Sequence, residues 1–132
     1  MNKIEKGRRT EKEILEYYKK QGYNLFWRAT RSRFQNLDFF GLFDIVVRNK
    51  EETIYIQVKT NYTSSINALC SEKGNQGISI YEFVCNFLKE DEKVLIWNKK
   101  QKQGVYVVYS VKPLVGAEKI AEKKISEVLS HE

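Results

Sequence analysis

Thr53-Ile54-Tyr55-Ile56-Gln57-Val58-Lys59-Thr60 alternates without a break, so the stretch reads as a β-strand. Ile54, Ile56 and Val58 point to one face, while Tyr55, Gln57 and Lys59 point to the other. A short turn upstream, Arg48 to Glu52, separates this strand from Phe43-Asp44-Ile45-Val46-Val47, an apolar run broken by a single carboxylate. Two adjacent strands therefore carry an acid on one and an amide and a lysine, two residues apart, on the other.

Outward from this pair, Phe39 to Val47 reads as one strand entered through Gly41, and Tyr23 to Thr30 as an aromatic-rich strand before it. The polar, basic segment Arg31 to Asp38 is the loop between them. Ile14, Leu15, Tyr17 and Tyr18 fall at helical spacing in Thr10 to Gln21, with Gly22 as a stop and a start that can lie several residues earlier. Glu11 precedes Ile14 and Leu15 by three and four residues and so shares their core-facing side.

Downstream, Asn61 to Gly77 has no periodicity, and a connection of that length in a small domain is usually functional or mobile. Ser79 and Glu82 form a capping box for a helix whose buried stripe is Ile80, Phe83, Val84, Phe87 and Leu88. Val94 to Trp97 and Val105 to Tyr109 predict a hairpin around a Lys99 to Gly104 turn. Pro113 interrupts, and Ala117 to Leu129 predicts a final helix. The order is α-β-β-β-α-β-β-α, an α/β domain with a mixed central sheet flanked by helices, spanning residues 1–132 as one unit.

Composition narrows the function. The only cysteines, Cys70 and Cys85, have no CxxC spacing and read as small buried hydrophobes; the lone histidine, His131, is the penultimate residue. Zinc fingers are excluded on this basis, and histidine-based catalysis is strongly disfavoured. No apolar run is long enough to cross a bilayer, and Met1 to Arg9 is charged, so the expectation is a soluble, cytoplasmic protein without a membrane partner. The net charge of +6 is concentrated in residues 1–33, where Lys3, Lys6, Lys12, Lys19, Lys20, Arg8, Arg9, Arg28, Arg31 and Arg33 face only four glutamates. A localised excess of this kind suits a phosphate-binding face, with a solvated helix face that maintains solubility as the lesser alternative.

A lysine beside an amide on a buried-side strand face needs a partner, because desolvating a charge is costly unless it is paired. Asp44 is the available acid. A hard divalent cation such as Mg2+ would account for all three residues: Asp44, the Gln57 side-chain oxygen and a backbone carbonyl such as that of Val58 supply oxygen donors. The cation would activate water, and Lys59 would orient it or help deprotonate it. An edge-strand aspartate with a solvent-exposed Gln/Lys face is the alternative, and on these residues alone both accounts stay open.

The run Phe43 to Val47 followed by Ile54 to Thr60 resembles the signature of the PD-(D/E)XK nucleases, in which an Asp ends one strand and an acid-x-Lys sits on the next. Lys6-Gly7 through Glu11, Gly22-Tyr23, Arg28-Ala29-Thr30-Arg31-Ser32, Gly41 and Asp44 more narrowly resemble the N-terminal half of the archaeal-type Holliday junction resolvases, over roughly residues 6–61. The resemblance implies a restriction-endonuclease-like core. It implies that Glu11 assists metal binding, that Asp44 is the essential metal-binding aspartate and that Lys59 is the catalytic lysine, with Gln57 where the family usually has glutamate. Ser32 matches a loop serine near the scissile phosphate, and Arg28 and Arg31 would contact the DNA backbone.

The expectation is a Mg2+-dependent endonuclease, with Mn2+ as a substitute, that resolves four-way DNA junctions as a homodimer in recombination or repair. Lys3, Lys6, Arg8, Arg9, Arg28, Arg31 and Arg33 would supply phosphate contacts. A repair or restriction-like nuclease acting on linear or flapped duplex is the second reading. A non-catalytic branched-DNA-binding relative is the third.

Overall fold

The computed structural model describes residues 3–31 and 36–129. The chain begins with helix α1 (Lys3–Lys20) and continues through strand β1 (Leu25–Arg28), the two-residue strands β2 (Thr30–Arg31) and β3 (Asn36–Leu37), β4 (Ile45–Arg48) and β5 (Thr53–Thr60). Helices α2 (Ile66–Ser71) and α3 (Ile80–Asn86) lead into β6 (Glu92–Lys100), β7 (Val105–Lys112), β8 (Gly116–Lys124) and the short α4 (Ile125–Val128). Six strands form one mixed sheet in the order β1-β4-β5-β6-β7-β8, and β2 pairs with β3 separately. All contacts between neighbours are antiparallel except β5 with β6, which run parallel and therefore need the α2–α3 crossover between them.

The sheet is covered on both faces. On one side Ile14, Leu15 and Tyr18 of α1 and Val128 of α4 pack against Ile45, Val47, Ile54, Ile56 and Trp97. On the other, Leu69 and Cys70 of α2 and Ile80, Phe83 and Val84 of α3 pack with Phe43, Val94 and Ile96. The alternation of β5 is realised as read, with Ile54 and Ile56 in the first cluster and Tyr55 against the second. Trp97 is buried, its indole N–H donating to the Tyr18 hydroxyl at 3.1 Å. Burial pushes the Tyr18 phenol well above its ordinary range.

Five sequence expectations are corrected. Ala117 to Leu129 is not a helix: Gly116 to Lys124 pairs with β7 over eight register positions, and only Ile125–Val128 is helical. Alanine, glutamate and lysine favour a helix in isolation, but the sheet offers β8 a full partner strand and the positive-φ turn at Leu114 and Gly116 returns the chain antiparallel. The ladder skips Ile120, so Ala117 packs on the α2–α3 side while Ala121, four residues on, packs on the α1 side. A bulge of one residue is what exchanges the faces.

The second correction concerns Phe39 to Val47, whose first half is a turn rather than a strand. Phe40 and Gly41 both have positive φ, and β4 starts at Ile45. That turn is held close to the 74–77 loop; a Cβ on Gly74 would stand 2.4 Å from the Gly41 carbonyl oxygen, so only glycine permits the approach. Third, the Arg31 to Asp38 loop holds β3 and the end of β2, which starts at Thr30, and Asn61 to Gly77 contains α2. Fourth, Cys85 is exposed; Cys70 alone is buried, with its thiol pushed up to about 11 by desolvation. Fifth, Phe87, read as part of its helix's buried stripe, lies just past the end of α3 and is 58% exposed; Phe40 is 43% exposed, its ring stacked on Phe83 at 5.4 Å.

At the far end of the sheet Glu52 receives the Tyr23 hydroxyl at 2.5 Å and the Lys93 ammonium at 2.8 Å. Burial raises the Glu52 carboxyl, but these two partners outweigh it and hold it below its ordinary value of 4.5. A depressed folded-state pKa contributes stability that is present above the unfolded value and lost as pH falls through the folded one. Urea midpoints of Glu52→Gln are therefore expected to fall less than those of the wild type between about pH 5 and pH 3. Parallel acid profiles for the two proteins would remove this pair from the account.

Candidate active site

Antiparallel pairing brings the C-terminal ends of β1 and β5 and the N-terminal end of β4 together, and parallel pairing adds the C-terminal end of β6. The N-terminal half of α1 crosses the same end of the sheet. Thr10 Oγ1 lies 3.4 Å from Thr60 Oγ1, and Glu13 reaches Lys99.

The β4–β5 ladder ends at the Ile45–Ile56 pair, and the Asp44 amide donates to the Ile56 carbonyl at 2.8 Å. Continuing that register by one step sets Asp44 opposite Gln57. Past this point β4 no longer flanks β5, and Asp44 Oδ2 takes its place by accepting the Val58 amide at 2.8 Å. Within a strand, a residue's N–H and C=O point to the same side. The Val58 carbonyl therefore faces the side occupied by the Asp44 carboxylate rather than a paired strand.

Asp44 is buried and Gln57, Val58 and Lys59 are half-buried. Two strand positions beyond Tyr55 and four beyond it, Gln57 and Lys59 share the α2–α3 face, and the Lys59 ammonium lies 5.4 Å from the centre of the Tyr62 ring. Carboxylate, amide and lysine are thus grouped at one sheet end. Asp44, the Gln57 side chain and the Val58 carbonyl are the oxygen donors this end of the sheet has to offer, hard donors of the kind that could hold Mg2+ or Mn2+ with water completing the shell. The set carries one formal negative charge, and among the described residues no three His, Cys, Asp or Glu side chains group to hold a metal.

Glu11 is buried, 2% exposed, and its carboxylate pairs with the Arg28 guanidinium at 3.4 Å. Arg28 also donates to the Arg8 carbonyl at 3.0 Å, which ties the start of α1 to the end of β1. The next residue, Ala29, donates its amide to the Asp44 carbonyl at 2.8 Å. Glu11 is therefore linked to the site through Arg28 and the β1–β4 junction. Arg8 and Arg9 are exposed on α1 beside it. Lys3, Lys6 and Arg31 have described backbones only, and Ser32 and Arg33 lie outside the described residues.

Sequence reasoning missed three supports of this end of the sheet. Asn98 is 1% exposed, and its side chain accepts from the Tyr62 amide at 3.1 Å and donates to the Tyr62 carbonyl at 2.9 Å. Tyr62 in turn stands over Lys59. Lys99, 6% exposed, pairs with Glu13 at 2.6 Å, and Glu13 also accepts the Tyr106 hydroxyl at 2.5 Å. Burial first, and then the glutamate, push the Tyr106 phenol up, so it remains a donor. An asparagine and a lysine ending the apolar run Val94 to Trp97 were the signal available in the sequence. No family model, curated protein or solved structure matches this chain.

Proposed function

We propose that this protein is a metal-dependent DNA endonuclease with a restriction-endonuclease-like core, built around Asp44, Gln57 and Lys59, and that it cuts four-way junctions. The observation that carries the reading is the Asp44 carboxylate seated over the Val58 amide, opposite Gln57 and beside the strand that bears Lys59. The placement of Arg8 and Arg9 on α1, which crosses the same sheet end, supports a polyanionic substrate.

Asp44, the Gln57 amide oxygen and the Val58 carbonyl would hold Mg2+, which when bound acidifies water and neutralises charge on a phosphate. Lys59 donates a hydrogen bond to the attacking water or to a non-bridging phosphate oxygen, offsetting the negative charge that grows during displacement. The Glu11–Arg28 pair fixes the angle between α1 and β1, and so positions the basic face relative to the acid. Tyr62 packs beside the Lys59 ammonium and restricts its range. Gln57 supplies an oxygen without a charge, which is expected to leave the metal more weakly held than a second carboxylate would.

A homodimer belongs to the proposal, because a four-way junction presents two equivalent strands to cut. Outer strand β1 leaves Leu25, Phe26 and Trp27 about half exposed, a surface compatible with pairing. No described helix is long and apolar enough to cross a membrane.

The test of substrate is a comparison of cleavage rates on a mobile four-way junction, linear duplex, a flap and single strand. The junction is expected to be cut at least about tenfold faster than linear duplex, since shape rather than base contact is read. Equal rates on junction and linear duplex would replace this reading with that of a general nuclease.

A further inference from the structure

One step across the parallel ladder from Lys59 stands Asn98, and beyond Asn98 the sheet face opens into a polar groove of about 380 Å3. Its walls are Tyr62 to Asn67 on one side and Asn98, Lys100, Tyr109 and Ala117 on the other. Lys100 follows Asn98 by two strand positions and so shares its face. Tyr62 belongs to both features, lying over the Lys59 ammonium and lining the groove.

The chemistry of the groove is one-sided. Among the described residues that line it there is no carboxylate and Lys100 is the one charged side chain; Glu122, which acts on Lys100 electrostatically, is paired with Lys119. The Asn98 amide is committed to the Tyr62 backbone, so it supports the wall rather than reading a ligand. The Ser65 oxygen accepts the Ala68 amide, which leaves its proton to donate. With Thr63 and Ser64 the wall offers hydroxyl donors around one ammonium, and Tyr62 and Tyr109 add aromatic surface. Hydroxyls, a cation and aromatics along a path to a phosphate-cleaving site are the parts of a single-stranded nucleic acid channel. The volume falls near the small end of ligand pockets, about 300–1,000 Å3, which suits one nucleotide and excludes a duplex.

Resting on the endonuclease reading above, we propose that this groove takes an unpaired DNA nucleotide flanking the scissile phosphate, with its phosphate toward Lys100 and its base against the tyrosine walls. A branch point supplies such a nucleotide, because strands exchange partners there and stacking is interrupted. The site thereby selects substrates in which a nucleotide beside the cut can leave the helix.

The probe is a fluorescent oligothymidylate, measured by anisotropy in EDTA beside a duplex of equal length. Lys100→Glu is expected to weaken oligothymidylate binding about tenfold and duplex binding far less. Ser64→Ile, which narrows the groove without changing charge or adding aromatic surface, is expected to do the same. Lys102→Glu makes the same charge change on the exposed turn outside the groove and serves as the control. Absence of oligothymidylate binding by the wild type, or equal losses in Lys100→Glu and Lys102→Glu, would overturn the proposal. Junction cleavage in Mg2+ by the wild type is scored separately. Cleavage with a groove indifferent to Lys100 rejects the groove and keeps the nuclease; selective binding without cleavage rejects the nuclease, and with it the placement of the nucleotide beside a scissile phosphate, and leaves a single-strand site alone.

Discussion

Asp44→Asn is expected to lower the rate of junction cleavage by about 10²–10³-fold or more while leaving the fold intact. Asparagine keeps an oxygen that can accept the Val58 amide at the position Asp44 Oδ2 occupies, so the end of the β4–β5 ladder stays capped. It removes the one formal negative charge from the proposed oxygen set. The substitution therefore separates two roles that alanine would confuse. If Asp44 serves only to satisfy the β5 backbone, Asp44→Asn retains both thermal stability and any activity. If it holds a cation, stability is retained and cleavage is lost. Circular dichroism melts and single-turnover rates on the same preparations decide between them.

Glu13→Ala is expected to destabilise the protein by about 3–5 kcal/mol, because it strands the Lys99 ammonium without its counter-charge. Lys99 and Glu13 have side chains only 7% and 14% exposed, at a separation of 2.6 Å, and the Tyr106 hydroxyl shares the same carboxylate oxygen. Screening by water is correspondingly weak. A double variant, Glu13→Ala with Lys99→Met, is expected to recover a large part of the loss, since it removes both charges and keeps the volume at position 99. Urea denaturation measures both. A loss below about 1 kcal/mol in Glu13→Ala would show that the pair behaves as a surface salt bridge.

The contrast between these two sites explains what could be read from the sequence. Asp44 was visible because it breaks an apolar run, and Gln57 and Lys59 because strand periodicity is two and assigns them a common face. The capping box at Ser79 and Glu82 was visible because both partners lie within one helical turn; the structure has both bonds. Glu13 and Lys99 are 86 positions apart, and nothing local pairs them. Their burial follows from parity, since Lys99 lies on the Leu95 and Trp97 face of β6, but recognising it requires knowing that α1 covers that face.

The misread segment fails for the complementary reason. Gly116 to Lys124 has helical composition, yet its state is set by the partner strand β7 and by a bulge whose position no propensity encodes. The stretch around Phe40 and Gly41 reads as the entry to a strand in the sequence and is a positive-φ turn in the structure. Its form instead reflects a close backbone approach to Gly74, a contact made across the fold. For the same reason the capping of Val58 by Asp44 was not foreseen: it depends on where β4 ends, and that boundary is set by the turn.

Nuclease activity is decided by incubating a labelled four-way junction with the wild type in Mg2+, beside a Lys59→Ala protein shown to be folded. Paired symmetric nicks by the wild type, reduced about 10²–10⁴-fold in the variant, are the predicted result. Tight junction binding by the wild type with no cleavage in either Mg2+ or Mn2+ would contradict the account and leave a branched-DNA-binding protein in its place.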